Sequence, residues 1–328
     1  MGDGRPGRLG DAPREANVNH NRTVTLESHD RFGRRIPPQA LGAVLETLPD
    51  ALRGSVRMAV EGRSRARGKR PDWLRAAADL RFVGHEGTDR TLLHFEVPTL
   101  GEAAPGLYRQ QEFWSTKPAP EDTGFEILAD VLADVAARND DSERFDLPLL
   151  NRLGRFRRAL NGTFSGMAIP SRRGGSVVIN PALVDAAESL HTNTPLPQRV
   201  RVVGRLDMLR ASTQSFGLLL DDGQEIRGVL TEGDVAAVTP LLGQRVLVLG
   251  EAVFRASGRP LRIDAEDVLP AEDVGGFFSK LPEPKRRRLE IREPARGQQG
   301  KRGLVAVVGK WPGDETDEQV LAALKELS

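Results

Sequence analysis

The chain has 328 residues and a net charge of +1, with 39% hydrophobic and 28% charged residues. This length predicts two or three small domains, and near-neutral charge means that only local patches can attract nucleic acid. The absence of cysteine excludes disulfides, thiolate metal sites and cysteine nucleophiles, and fits a cytoplasmic protein. The first thirty residues lack the apolar run of a signal peptide, and no stretch reaches the roughly 18 apolar residues of a membrane span, so no membrane association is expected.

The first half of the chain predicts one mixed domain. Residues 1–20 are polar and rich in glycine, proline and arginine, and are expected to be disordered. Residues 21–162 predict an α+β domain of unknown role, with strands at 24–26, 80–83 and 91–97. Helices are predicted at 38–48, around 52–60, at 123–138 and at 148–160, and a short one begins at 73. Pro49 is expected to interrupt the first helical stretch, because proline lacks the amide hydrogen that a helix interior needs.

A bridging segment is predicted at 163–197, with a strand at 177–179 and a helix at 181–190. Residues 193–197 contain two prolines and indicate a stiff linker. The next segment, 198–270, predicts strands at 199–206, 216–220 and 225–230, a helical turn at 232–242, and strands at 245–254 and 261–268. Three strands, a helix and two strands in this order resemble an OB-fold, with an SH3-like barrel as the competing topology.

The predicted fold class is therefore α+β: an N-terminal α+β domain, a small OB-like five-stranded β-barrel and a C-terminal tail with a short helix. OB-folds that bind single strands stack bases on aromatic side chains in a basic groove. This barrel carries only Phe216 and Phe254, together with many carboxylates. A structural or protein-binding barrel is favoured over a base-stacking one.

Two basic runs flank the barrel in sequence. One lies at 63–70, and the other at 285–288 within a basic, Pro/Gly-rich linker at 271–303. Such runs are typical of solvated linkers, and their alternative is contact with phosphate groups. The candidate nucleic-acid-binding residues are Arg63, Arg65, Arg67, Lys69, Arg70, Lys285, Arg286, Arg287 and Arg288.

The tail at 304–328 joins a short strand candidate, a Pro-Gly turn, an acidic helix start and a narrow apolar stripe. A helix of about three turns is not stable alone in water, so it must dock on its own protein or on another. The candidate partner-binding residues are Lys310, Trp311, Pro312, Asp314, Glu315, Val320, Leu321, Leu324 and Leu327.

The stretch from Trp311 to Glu315, followed by Leu321, Leu324 and Leu327, resembles the C-terminal tails of antitoxin-like bacterial proteins made with a PIN-domain ribonuclease toxin. The resemblance covers only these residues, and the upstream chain is similar to a bacterial family without an assigned activity. It implies a toxin–antitoxin system, in which this protein binds and neutralises a partner protein.

Catalytic motifs are absent from the sequence. The five histidines have no metal-binding spacing, and neither phosphate-binding glycine loops nor a nucleophile elbow occur. His94 and Glu96 share one face of a predicted strand, where His94 is expected to be a hydrogen-bonded core residue. Trp73, Phe113 and Trp114 are expected in core or interface packing. The sequence thus favours a non-enzymatic protein without cofactor or metal; a nucleic-acid-associated protein, and an enzyme with a site in 22–160, are the alternatives.

Overall fold

The computed structural model describes residues 20–271 except 31, 109–117, 173–174 and 232–234, together with 280–281 and 283–284. The chain divides into two compact units, residues 1–286 and residues 287–328. The second unit lies outside the described residues. All the described helices and strands belong to the first unit.

The N-terminal part contains a five-stranded antiparallel sheet in the order β2-β3-β1-β4-β5. Its strands are β1 (His20–Glu27), β2 (Arg81–Glu86), β3 (Thr91–Val97), β4 (Gly166–Pro170) and β5 (Ser176–Ile179). Along β3 every second residue is buried, as expected for a strand with one face on a core. The strands predicted near residues 24, 80, 91 and 177 are confirmed.

Helices pack on the buried face of this sheet. They are α1 (Pro38–Glu61), α2 (Asp72–Ala77), α3 (Leu100–Ala103), α4 (Gly124–Ala136), α5 (Leu147–Gly154), α6 (Phe156–Leu160) and α7 (Pro181–Asn193). Thr123 caps α4 through a reciprocal capping box with Glu126, in which each side chain accepts from the backbone amide of the other residue. The shared core includes Leu26, Leu52, Phe95 and Phe125, each 1% exposed or less, and Trp73 packs at its edge.

The predicted interruption at Pro49 is wrong, because α1 continues through it. Proline removes one helical hydrogen bond, but Leu48, Ala51 and Leu52 on either side are fully buried. The free energy gained by burying these apolar side chains outweighs the loss of that one hydrogen bond. Conversely, the single helix predicted at 148–160 is divided into α5 and α6 at Arg155.

Residues 163–197 belong structurally to the N-terminal domain. They supply β4, which pairs with the central strand β1, and β5, which pairs with β4. Helix α7 packs against α4 and α5 and contributes Val184 and Ala187 to the core. The segment that the sequence indicates as a bridge is therefore a structural part of the sheet and its core.

The second sheet is a closed barrel of β6 (Gln198–Arg210), β7 (Ser215–Leu219), β8 (Glu225–Leu230), β9 (Arg245–Phe254) and β10 (Pro260–Pro270). A short helix, α8 (Val235–Val238), lies between β8 and β9. The first strand pairs with the second and fourth, and the third pairs in parallel with the fifth. This closed order fits an OB-like fold, so the predicted α+β class with an OB-like five-stranded barrel is confirmed.

The barrel interior is filled by large apolar side chains. Phe216 and Phe254 are 0% and 1% exposed, so both aromatic residues of the barrel are enclosed in its core. Gly228 faces Phe216 across the β7–β8 pair, and a Cβ atom at this position would overlap the Phe216 ring. A glycine is required here by close packing rather than by backbone conformation.

We expect Gly228→Ala to lower the free energy of unfolding by about 1–3 kcal/mol, because the added methyl overpacks the barrel. The matched control is Gly42→Ala in α1, where an added Cβ atom meets nothing within 4 Å. Alanine there should raise the free energy of unfolding by about 0.5–1 kcal/mol, since glycine is a poor helix former. Urea denaturation measures both, and equal effects would contradict the packing of the barrel.

Candidate functional site

The barrel docks on the N-terminal domain through a buried arginine of β10. Arg262 is 4% exposed and its Nη1 donates to the carbonyl oxygen of Gly62 at 3.0 Å. The same nitrogen lies 3.2 Å from Oδ2 of Asp146. Its Nε donates to Oδ1 of Asp264, on the same strand, at 2.6 Å. The two carboxylates compensate the charge of the buried guanidinium, and together with the carbonyl they accept its hydrogen bonds.

Asp146 connects this arginine to the N-terminal domain. It caps α5 by accepting a hydrogen bond from the amide of Leu149 at 3.2 Å, and its side chain is 0% exposed. Both the amide and the hydroxyl of Ser64 also donate to it. One carboxylate therefore joins β10, the start of α5 and the segment that follows α1. We call the set of Ser64, Asp146, Arg262 and Asp264 the interdomain clasp.

The basic run at 63–70 is partly buried and partly exposed in the structure. Arg63 is 7% exposed, pairs with Glu61 at 3.1 Å and donates to the carbonyl oxygen of Leu230 in the barrel at 3.4 Å. Glu61 also pairs with Arg57 at 2.8 Å. Arg63 is thus placed at the interface between the two halves. The other candidates of this run are exposed: Arg65, Arg67, Lys69 and Arg70.

The loop between β9 and β10 also contacts the N-terminal domain. The hydroxyl of Ser257 donates to Asp141 at 2.9 Å, and Arg259 pairs with the same carboxylate at 2.9 Å. Arg255 pairs with Glu143 at 2.6 Å. The hydrogen bond from Ser257, with the positive charges of Arg255 and Arg259, lowers the pKa of Asp141. This loop is therefore held by ionised groups at neutral pH.

These contacts occupy part of the surface that OB-folds use for oligonucleotides. That surface comprises the outer face of the second and third strands and the loops after the first and fourth. Here the third strand, β8, turns Arg227 outward against Gly62, and the loop after the fourth strand is the one held by Asp141. With Phe216 and Phe254 inside the barrel, the described barrel offers no aromatic platform for bases.

A groove runs between the two halves of this unit. Its α4 side has a volume of about 560 Å³ and its barrel side about 480 Å³, within the usual size of small-molecule sites. The two sides adjoin, because they share Met58, Glu143, Arg227 and Arg255. We call this the interdomain groove; its other charged lining residues are Asp130, Asp134, Asp141, Arg144, Arg172, Glu225 and Arg259.

Most arginines of the groove are already paired with carboxylates. Arg144 contacts Asp134 at 2.9 Å, and Arg172 contacts Asp122 at 2.6 Å. Arg255 and Arg259 bind Glu143 and Asp141 as described above. Arg227 differs from them: within the described residues it makes neither a hydrogen bond nor an ion pair.

His94 lies on the open face of the N-terminal sheet, so the expected core position is wrong. Its side chain is 33% exposed, with Nε2 3.3 Å from Glu86 and Nδ1 3.2 Å from the hydroxyl of Thr23. The alternation of β3 turns His94 away from the core residues Leu93 and Phe95. No group of three or more histidines and carboxylates among the described residues is placed to hold a metal ion.

Several predicted site residues lie outside the described residues. These are all the partner-binding candidates of the tail, the basic residues 285–288, and the pair Phe113 and Trp114. No family model, curated protein or solved structure matches this chain. Among the helices that the structure describes, none combines the length and apolar character needed to cross a membrane.

The sequence analysis did not identify Asp146, Arg227 and Arg262 as interface or groove residues. The local sequence predicts only the secondary structure in which each one lies. Asp146 precedes Leu-Pro, a typical helix start. Arg227 and Arg262 alternate with apolar residues, a pattern that predicts ordinary exposed strand positions. Only the docking of the barrel buries these outward faces, and no local pattern encodes that contact.

We expect Asp146→Ala to lower the free energy of unfolding by about 3–5 kcal/mol, because it leaves the buried Arg262 without one of its counter-charges and uncaps α5. The matched control is Asp207→Ala. Asp207 pairs with Arg205 at 3.0 Å, and both side chains are at least half exposed. Loss of this ion pair should change the free energy of unfolding by less than about 1 kcal/mol. Similar effects of the two variants in urea denaturation would contradict the clasp.

Tyr108 is the single tyrosine of the chain. Burial, with the negative charges of Asp122 and Glu121, raises the pKa of Tyr108 to about 12, against about 10 in an unfolded chain. The neutral phenol therefore stabilises the fold fully below pH ~10, and this contribution is lost as the pH rises towards 12. Tyrosinate absorbance should show a folded midpoint near 12.

The same titration in urea provides the control, since the unfolded chain should titrate near pH ~10. Glu121→Gln should move the folded midpoint towards that value, because it removes one of the charges that raise it. Coincident midpoints for the folded and unfolded chains would show that the phenol is not buried.

Proposed function

We propose that this protein is a non-enzymatic, antitoxin-like binding protein of the bacterial cytoplasm that captures and neutralises a partner protein with residues 304–328. The observation that carries the proposal is the order of residues in this tail. A Trp-Pro-Gly-Asp-Glu stretch precedes a segment that the sequence predicts to be a short helix, with its apolar residues in one stripe. Such a helix gains stability only by burying that stripe. The partner proposed from the resemblance is a PIN-type ribonuclease.

The proposed capture uses two modes of peptide recognition. The β-capable segment at 303–308 adds to a sheet edge of the partner, while the helix carrying Leu321 and Leu324 fills an apolar groove. Trp311 is the central anchor, because a desolvated tryptophan in a pocket commonly contributes 2 kcal/mol or more. Lys301, Arg302 or Lys310 then reaches the acidic pocket of the nuclease and competes with Mg²⁺ for its carboxylates.

One feature of the described residues supports the assignment of capture to the tail rather than to the barrel. The interface with the N-terminal domain already uses the outer face of β8 near Arg227 and the β9–β10 loop. A barrel engaged in this way has a structural role within its own chain.

Nucleic-acid association is the less favoured function. Its remaining support is the exposed part of the first basic run, residues 65–70, together with residues 285–288. Contacts of this kind bind phosphate without reading sequence, and their affinity falls steeply with salt. If this function were correct, Arg286, Arg287 and Arg288 would contribute to a salt-dependent complex with single-stranded DNA or RNA.

The test is co-expression of the full chain with a PIN-type ribonuclease from a neighbouring reading frame. We expect a stable complex and loss of ribonuclease activity, both abolished by deletion of residues 304–328 and weakened at least about tenfold by Trp311→Ala. Trp311→Phe is the matched control and should keep most of the affinity, because it retains an aromatic anchor.

The melting temperature of the isolated protein separates docking from self-packing. An unchanged melting temperature after deletion of 304–328 supports a tail used for a partner. A large decrease would show that the tail packs on its own chain and would overturn the proposal, as would full inhibition of the nuclease by the deleted form. Tight, salt-dependent binding of single-stranded nucleic acid without nuclease inhibition would favour the alternative.

A further inference from the structure

Arg227 occupies a central position in the interdomain groove. It extends outward from β8 and lines both the α4 side and the barrel side of the groove. Its guanidinium carbon lies directly over Gly62, only 2.5 Å from where a Cβ atom would stand. Gly62 has a φ of 75°, so this position is suited to glycine both by conformation and by the space that the arginine occupies.

The charge of Arg227 is not balanced within the described residues. The arginine has five donor hydrogens but makes no hydrogen bond or ion pair there. Burial lowers its pKa, and the positive charges of Arg210 and Arg262 act in the same direction, opposed by Glu143. Arginine nevertheless stays protonated in proteins. A half-buried cation of this kind is costly unless an anion compensates it.

The neighbouring arginines show why Arg227 is distinct. Arg144, Arg172, Arg255 and Arg259 each have a carboxylate within 3 Å, so their charges and part of their donor capacity are already satisfied. Arg227 alone among these groove arginines keeps its full fork of donors for another acceptor. A planar fork matches the geometry of carboxylate and phosphate oxygens.

We propose that the interdomain groove is a binding site for a small organic oxyanion, whose carboxylate or phosphate group is held by Arg227. The apolar side chains of Met58 and Leu261 line the same groove and provide contact for the body of the ligand. Glu143 and Glu225 limit the negative charge that the groove accepts, which favours a singly charged group. The site is formed by both halves of the unit, so its occupancy stabilises their docking.

This inference is independent of the tail, because it concerns residues 58–262 and needs no protein partner. The test uses the full chain with two probes, sodium acetate and sodium phosphate, each replacing sodium chloride at constant ionic strength. A ligand that binds only the folded state raises the melting temperature in a saturable way. The two probes distinguish a carboxylate site from a phosphate site.

We expect a saturable increase in melting temperature for the wild type with at least one probe. Arg227→Gln should raise the dissociation constant by about tenfold to a hundredfold, since it removes a charge-assisted hydrogen-bonding pair. The matched control is Arg199→Gln. Arg199 lies on the barrel exterior, is paired with Glu266 at 2.9 Å and is exposed, so the same change in charge there should leave the dissociation constant unaltered.

Arg227→Lys keeps the test informative if the glutamine variant does not fold. Lysine retains the positive charge but not the planar fork, so an intermediate loss of affinity supports recognition by the guanidinium. In the absence of ligand, Arg227→Gln should be as stable as the wild type or more so, because it removes an unpaired buried charge. The proposal is overturned if neither probe produces a saturable shift, or if Arg227→Gln or Arg227→Lys binds as well as the wild type.

Discussion

The ion pair between Arg262 and Asp146 is the interaction on which the rest of the described structure depends. Both side chains are removed from solvent, at 5% and 0% exposure. Such a pair is stable only with good geometry and further hydrogen bonds, which Gly62, Ser64 and Asp264 supply. Because the residues of this pair come from the barrel and from the N-terminal domain, a shift of the barrel would leave a buried charge uncompensated. The clasp therefore fixes where the barrel sits.

This fixed docking determines what the barrel can do. The outer face of β8 near Arg227 meets Gly62, and the β9–β10 loop is tied to Asp141. An OB-like topology by itself suggests oligonucleotide binding, but a topology does not define a function. In this chain the same surface elements build an interface and the walls of a groove. The proposed oxyanion site and the structural role of the barrel thus both result from the docking of the barrel on the N-terminal domain.

The tail and the groove are two separate proposed binding sites. The proposed capture of a ribonuclease relies on residues 304–328, whereas the proposed oxyanion site relies on Arg227 and its surroundings. An anion in the groove would stabilise the docking of the two halves by mass action. The chain would then combine a body that responds to a small molecule with a tail that binds a protein, and each proposal can fail without the other.

Local sequence determined many of the helices and strands. The alternation of apolar and polar residues specifies β3, the capping box specifies the start of α4, and the turn around Gly223 separates β7 from β8. Each of these patterns acts between residues that are close in the chain. The order of strands also predicted the barrel. Tertiary structure decided that α1 passes through Pro49, that β4 joins the sheet, that Arg262 is buried and that Arg227 is half-buried. These outcomes depend on contacts between residues far apart in the chain, where packing and charge compensation outweigh local preference.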